Sequence, residues 1–377
     1  MSAPAKVREA AARLQRWLLD EALPLWWERG TDPAGGCFDR LNLDATVAAA
    51  PKRLRVQARQ AHVYALAAGL GWDGPAKPAS RHALTQVMTH KCDDGLFRTR
   101  PDEIAPLDGM GLVYDQAFVL LALAADRAAF GERGQQRHAS ALVVALGPFA
   151  HALGGYAERP GLAEPLFANP NMHLFECFQA WSRAADDDRW NRRAAGLADL
   201  ALTRLIDPAT GALGERFGAN WRPPAAPSER FVWPGHLYEW GFLLLDRPGA
   251  SDADRAAALR LIEVAEARGV DAARGVAIFA LDAGLAPLDR DARLWAQTER
   301  LRACARAAAL TDDGSLWDAA LQAVGALEAF LDTPTRGLWR DRMRPDGAFA
   351  DEPAPASSLY HIAGAIVELL RQTSDGA

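Results

Sequence analysis

An all-helical ring, with six inner helices walled in by six outer ones, is the fold the sequence predicts, and three observations carry it. A short phrase recurs along the chain: a glycine, a spacer, then an aromatic or apolar residue, often followed by Asp/Glu-Arg. Its copies run from Gly36 (Gly36-Cys37-Phe38-Asp39-Arg40), Gly95, Gly154, Gly211, Gly275 and Gly337 (Gly337-Leu338-Trp339-Arg340-Asp341-Arg342), in steps of 59, 59, 57, 64 and 62 residues. A period that long marks a structural unit. Each unit also reads alike. A helix-forming stretch leads to a turn containing Asp32, Asp93, Asp207, Asp271 or Asp332, then comes the phrase, alternating apolar and polar as in a short strand or hairpin, and a second amphipathic stretch follows. Finally, the composition is rich in Ala, Leu and Arg and lacks the β-branched runs of a large sheet. Two helices in each of six units predict an (α/α)6 barrel of twelve helices with short β-hairpins at the inner-helix starts. A single domain over residues 1–377 follows, because a closed ring cannot be cut without exposing its inner wall.

In chain order the helices are expected at residues 5–28, 54–70, 79–91, 112–129, 134–150, 171–186, 189–205, 235–246, 251–268, 291–309, 314–331 and 357–372. The second helix of each pair is the more apolar. Residues 113–125 and 238–245 are apolar on nearly every face, which requires packing on both sides, whereas 252–268 is charged on one face.

Composition sets the outer limits. The net charge of −6, with no concentrated Lys/Arg stripe, argues against a nucleic-acid partner. Residues 1–18 are amphipathic and charged without an apolar signal core, and no window approaches the roughly 20 apolar residues of a membrane span. Cys37, Cys92, Cys177 and Cys304 are scattered, without paired or CxxC spacing. A cytoplasmic location is therefore expected.

Residues with chemical potential recur just after the phrase, where each inner helix begins: Arg59, Asp115, His173, His236, Trp295 with Gln297, and His361. Starting from Arg59 the intervals are 56, 58, 63, 59 and 66 residues, so ring geometry brings them to one mouth of the barrel. Three of the eight histidines lie at this phase. Asn169-Pro170 before His173 and Pro234-Gly235 before His236 are helix-start chemistry, which places both imidazoles in a first turn, where the helix dipole favours the neutral base. Taken singly each residue has a structural reading as well: a histidine as a cap or core residue, Arg59 as an ion-pair partner, Asp115 as an N-terminal cap. The pairs His173/Glu176 and His236/Glu239 have the i, i+3 spacing that binds metals in helical bundles. Di-iron sites need further carboxylates that a twelve-helix ring does not supply in that pattern, so no metal is expected, and each Glu is expected to orient its His or bond a sugar hydroxyl. Trp295 and Trp339 are candidates to stack on a sugar ring. Tyr114 and Asn171 are expected to add polar contacts. Phosphate-binding glycine loops and nucleophile elbows are absent, so no cofactor is expected.

The segments Gln57-Ala58-Arg59-Gln60, 169–176 (Asn-Pro-Asn-Met-His-Leu-Phe-Glu), 234–240 (Pro-Gly-His-Leu-Tyr-Glu-Trp), 294–299 (Leu-Trp-Ala-Gln-Thr-Glu) and Gly337 to His361 resemble the N-acylglucosamine 2-epimerase superfamily, which includes bacterial mannose isomerases and cellobiose 2-epimerases. The likeness runs in order from about Gly36 to Leu370. The wording around His236 and the run 351–355 before His361 look most like the mannose isomerase type. The resemblance implies a metal-free site lined by Arg59, His173, His236, Glu239 and His361, with chemistry through a cis-enediol. It implies isomerisation of D-mannose to D-fructose: His236 with Glu239 opening the ring, His361 moving the proton from C2 to C1, and Arg59 holding the enediolate. A 2-epimerase using the same residues, a glycoside hydrolase using Asp115 with Glu239, and a non-catalytic sugar-binding barrel, which would have no use for convergent histidines, are the alternatives. The expected partner is a small sugar, with a monomeric or homodimeric chain. The segment between Pro75 and Ser80 looks trimmed relative to the longer epimerases, which removes the grounds for a lid there.

Overall fold

The structure is a computed structural model that describes residues 3–99, 112–161 and 164–374. Its helices are α1 (Ala5–Arg16, a π-helical turn Trp17–Ala22, then Leu23–Arg29), α2 (Leu54–Gly69), α3 (Ala76–Thr89), α4 (Val113–Phe130), α5 (Gln135–Ala145) and α6 (Ala168–Ala184). They continue as α7 (Asp188–Leu200, extended by a π turn), α8 (Pro234–Asp246), α9 (Asp252–Gly269), α10 (Leu294–Thr311), α11 (Gly314–Leu331) and α12 (Ser358–Thr373). The even-numbered helices form the inner ring and the odd-numbered ones the outer, an (α/α)6 barrel. Each outer helix packs on the inner helix before it, and α1 packs on α12. The ring closes where α12 meets α2: Gln60 Nε2 donates to the Ala356 carbonyl at 2.9 Å.

Burial follows the patterning. Every residue of α8 from Pro234 to Leu245 is buried, while α9 buries a stripe that includes Ala258, Leu261, Ile262 and Ala265. Helix starts use local chemistry: a capping box between Ser251 and Asp254 opens α9, and the Asp313 carboxylate takes the Ser315 N–H at the start of α11. The π turn in α1 precedes Pro24, which has no N–H to continue the α ladder. No helix among the described residues is long and apolar enough to cross a membrane.

The phrase owes its repetition to one contact. In four units a side-chain amide from the fourth residue of the next inner helix lies against the backbone of the phrase and makes two hydrogen bonds to a single residue, as a neighbouring strand would. Gln57 bonds Cys37 N and O at 2.7 and 2.9 Å, and Gln116 bonds Phe97 at 2.9 and 2.8 Å. Asn171 bonds Tyr156 at 2.8 and 3.0 Å, and Gln297 bonds Ala277 at 2.8 Å both ways. The glycine makes room: a Cβ on Gly36 would stand 2.6 Å from Gln57 Oε1, at a φ of +73° that L side chains rarely adopt.

Several boundaries differ from expectation. The helix expected from 291 starts at Leu294, because Ala292–Arg293 pairs as a strand with Arg342–Met343. The helix expected to reach 150 stops at Ala145, and Gly147-Pro148 turns the chain through a 3₁₀ segment. The Pro75–Ser80 segment enters the first turns of α3. Strand pairs also do more than form local hairpins. Arg40–Leu41 pairs with Ala354–Pro355, and Leu166–Phe167 with Arg216–Phe217, so they stitch neighbouring units together around the mouth.

Gln297 and Asn171 are thereby committed to the scaffold rather than to the expected sugar contacts. Gln297→Ala strips both bonds from the fully buried Ala277 backbone and is expected to cost about 2–4 kcal/mol in a denaturation titration, with sugar KM unchanged. A KM shift at wild-type stability would assign Gln297 to the ligand instead.

Candidate active site

A cavity of about 450 Å³ opens at the N-terminal ends of the inner helices. All six contribute: Arg59 from α2, Tyr114 from α4, His173 from α6, His236 and Glu239 from α8, Trp295 from α10 and His361 from α12. Trp233 and Phe279 extend the aromatic side, and the less buried Arg40, Arg53, Arg293 and Glu352 lie on the same wall. Gly235 leaves the space into which Trp295 leans; a Cβ there would stand 2.3 Å from the indole. Trp295 in turn packs between His236 and His361, with ring centroids 5.1 and 6.0 Å away.

Each of the three phased histidines meets a carboxyl group at Nδ1: His236 with Glu215 at 2.7 Å, His361 with Glu299 at 2.8 Å and His173 with Glu176 at 3.3 Å. A carboxylate only accepts, so Nδ1 carries the proton and Nε2 keeps its lone pair. Burial holds the pKa of His173 down at about 4 and lowers that of His361, with the positive charge of Arg59 acting in the same direction on both. Burial, more than a helix N-terminus, therefore keeps His173 and His361 neutral.

The carboxyl groups divide. Burial alone would raise Glu176, but the His173 hydrogen bond and the Arg302 guanidinium outweigh it and bring the group to about 2. Glu299 is likewise held below its ordinary value against burial, by Arg302 and the His361 bond. Glu239 goes the other way: burial, then the charges of Glu299 and Glu176, push it well above the usual carboxylate range. Both its oxygens are buried without a hydrogen-bond partner among the described residues. The cavity thus sets a neutral imidazole beside a carboxyl group whose proton affinity burial raises, the separation that acid–base catalysis requires.

Arg59 is 5% exposed, stacks on Phe118 at 4.1 Å and Tyr360 at 4.9 Å, and bonds Tyr114 Oη at 2.9 Å and the Ser357 carbonyl at 3.2 Å. It makes no ion pair among the described residues, so its charge is left for a ligand. Two sets of potential metal ligands, His173/Glu176/Glu239 and Glu239/Glu299/His361, have ligand atoms within 4.8 Å of one another. In each set a histidine and a glutamate already hold each other.

Of the residues expected here, Arg59, Tyr114, His173, His236, Glu239, Trp295 and His361 share the cavity wall. Glu176 sits behind it, accepting from Tyr360 Oη and His173. Asp115 is off the wall and fully buried, taking Arg55 at 3.1 Å and Thr99 at 2.6 Å. Trp339 lies in the core, stacked on Trp26 at 4.7 Å. His173 falls in the second turn of α6, which starts ahead of Pro170 at Ala168. Glu239 does not orient His236; that position belongs to Glu215, which also accepts the Trp233 N–H at 3.3 Å. Glu215 was visible as the acid of the fourth phrase, but its partner, 21 residues away, was not. Glu299 and Tyr360 lay within the segments 294–299 and 337–361 but were not singled out there, and Arg302 carried no sequence signal.

The chain matches the N-acylglucosamine 2-epimerase (GlcNAc 2-epimerase) family over residues 36–365. It belongs to that family. A mannose-6-phosphate isomerase of Rhizobium meliloti (strain 1021) is 38% identical over 376 residues, covering 95% of this chain and 96% of the relative. A D-mannose isomerase of Thermobifida fusca is 29% identical over 322 residues, 77% of each chain. The solved structure of a D-mannose isomerase superposes with a TM-score of 0.86 at 20% identity, covering 98% of this chain and 100% of that one, and shares its fold. This family member is an enzyme of the sugar isomerase and epimerase class.

The state of Glu239 is measurable through stability. A folded pKa raised above the unfolded 4.5 means that the native state holds the proton more tightly. That contribution is complete below about pH 4.5 and is lost as pH rises toward the folded pKa. Gln has no proton to lose, so Glu239→Gln is expected to melt higher than wild type at pH 8, with the difference vanishing near pH 4.5. A pH-independent difference would mean that Glu239 is ionised in the folded protein.

Proposed function

We propose that this protein interconverts D-mannose and D-fructose through a cis-enediol, without a metal. The observation that carries the reading is the pairing, on one wall, of a His361 whose Nδ1 is held by Glu299, a Glu239 whose two buried oxygens have no hydrogen-bond partner and whose pKa burial pushes up, and an Arg59 free of any carboxylate, among the described residues. In the open-chain aldose, His361 Nε2 takes the proton from C2. That C–H electron pair becomes the C1–C2 double bond, and the C1 carbonyl oxygen accepts a proton, with Glu239 as donor. The Glu239 carboxylate so formed then takes the O2 proton, which restores its carboxylic acid and forms the C2 carbonyl, while the double-bond electrons take the proton from His361 at C1. Arg59 stabilises the oxygens while they bear charge, which is where fixed charge lowers a barrier most. His236, anchored by Glu215, assists ring opening.

Asp115 is tied to Arg55 and Thr99 away from the cavity, which leaves a glycoside hydrolase without its second carboxylate. A hexose phosphate is the second reading. It is favoured by the name of the Rhizobium relative and by Arg40, which lies on the cavity wall without an ion pair among the described residues.

EDTA-treated protein is expected to convert mannose in D₂O to fructose carrying deuterium at C1, and His361→Asn to lose roughly 10²-fold or more in kcat. Deuterium found only at C2 of glucose would make the enzyme a 2-epimerase, and a rate much higher on mannose 6-phosphate would select the phosphorylated substrate. Arg59→Lys keeps the charge but not the planar fork, so kcat is expected to fall well beyond any rise in KM. An unchanged kcat would give Arg59 a packing role.

A further inference from the structure

Behind the cavity floor, out of reach of a sugar, a buried arginine bridges two of the carboxylates that hold the histidines. Arg302 Nη1 lies 3.4 Å from Glu299 Oε2, and Nη2 lies 3.7 Å from Glu176 Oε1. Its guanidinium stacks on Phe242 at 4.0 Å, and its side chain is 13% exposed. On α12, one turn beyond His361, Gly364 faces it; even a Cβ there would already touch Cζ at 3.7 Å, so a larger side chain would press on the guanidinium. We propose that Arg302 is a positioning residue: by clamping Glu299 and Glu176 as anions it fixes the Nδ1 protons of His361 and His173 and leaves Glu239 to carry the remaining proton of the floor.

The charge inventory supports this. The groups meeting here are Glu176 and His173 from α6, Glu239 from α8, Glu299 and Arg302 from α10, and Tyr360 and His361 from α12. Arg59 and His62 come from α2, and Tyr114 comes from α4. Three carboxyl groups face two guanidinium ions. A buried site close to neutral therefore holds two carboxylates and one carboxylic acid. Which acid keeps the proton is decided by where the cations stand, and Arg302 touches Glu299 and Glu176 while no ion pair reaches Glu239 from it. The Arg302 charge is the largest influence opposing burial at Glu299. Without it Glu299 takes up a proton, no longer requires a donor from His361, and the imidazole proton is free to move to Nε2, the atom that must accept from C2.

This inference rests on the isomerase reading, but one of its tests does not. With ¹⁵N-histidine-labelled protein and no substrate, wild-type His361 is expected to show a protonated Nδ1 and a bare Nε2 at pH 7. Arg302→Met is expected to show a substantial Nε2–H population at the same pH, and Arg302→Lys, which keeps the charge, the wild-type pattern. In turnover, Arg302→Met should lower kcat at least tenfold with KM within about threefold, and Arg302→Lys should recover most of the loss. If Arg302→Met does not fold, Arg302→Lys decides alone: a wild-type tautomer supports the proposal and a displaced Nδ1 proton overturns it. A folded Arg302→Met with the wild-type ¹⁵N pattern overturns it as well. Failure to isomerise any hexose, with the ¹⁵N shifts as expected, would instead remove the functional reading and leave the clamp standing.

Discussion

The bidentate amide clamp between an inner helix and the preceding glycine phrase is the interaction on which the barrel's mouth depends. Each loop there carries backbone N–H and C=O groups into a region with no continuous sheet to pair them, and buried backbone groups left unpaired are costly. One Gln or Asn on the first turn of the neighbouring helix satisfies both groups of a single residue and fixes the loop against that helix. Because the helix starts are what carry the chemical side chains, the same bond that satisfies the loop also sets the position of the site.

The two inner helices without a clamp are α8 and α12, and they carry His236 and His361. In α12 the fourth position, which in the four clamped helices holds the amide, is His361 itself, and in α8 it is Leu237. The acid of the phrase takes over the anchoring: Glu215 accepts from Trp233 N and His236 Nδ1, and Asp341 accepts from Ser358 Oγ at 2.9 Å. At α8 a structural hydrogen bond has been exchanged for one that also orients a base, whereas at α12 Asp341 holds Ser358 and Glu299 orients the base. The scaffold loses a neutral clamp at two points and gains a charge-assisted one at each.

Burial then decides protonation. In water all three floor glutamates would ionise and the histidines would titrate near neutrality. Enclosed by aromatic rings and inner-helix packing, the floor tolerates little net charge, so proton affinities separate. Glu176 and Glu299 fall, Glu239 rises, and His173 and His361 remain neutral. Acid and base coexist at one pH because their surroundings differ, although their side chains are of common types.

The chain by itself determined the ring: a glycine phrase every sixty or so residues, two helices per unit and the more apolar member inside are local properties, and local pattern is what a sequence states directly. It also determined that Arg59, His173, His236 and His361 meet, since closure forces equivalent phases to converge, and the i, i+3 spacing put Glu239 one turn beyond His236. Tertiary structure decided the partners. Asn171 and Gln297 stand at the right phase yet point into the loop backbone, and Asp115 turns to Arg55 and Thr99. Glu215, Glu299 and Arg302 become second partners of the site residues through contacts that bridge different helices. Phase around a ring specifies which residues come near the mouth. Which way each side chain turns depends on the backbone groups and charges it meets there, and those belong to segments distant in sequence.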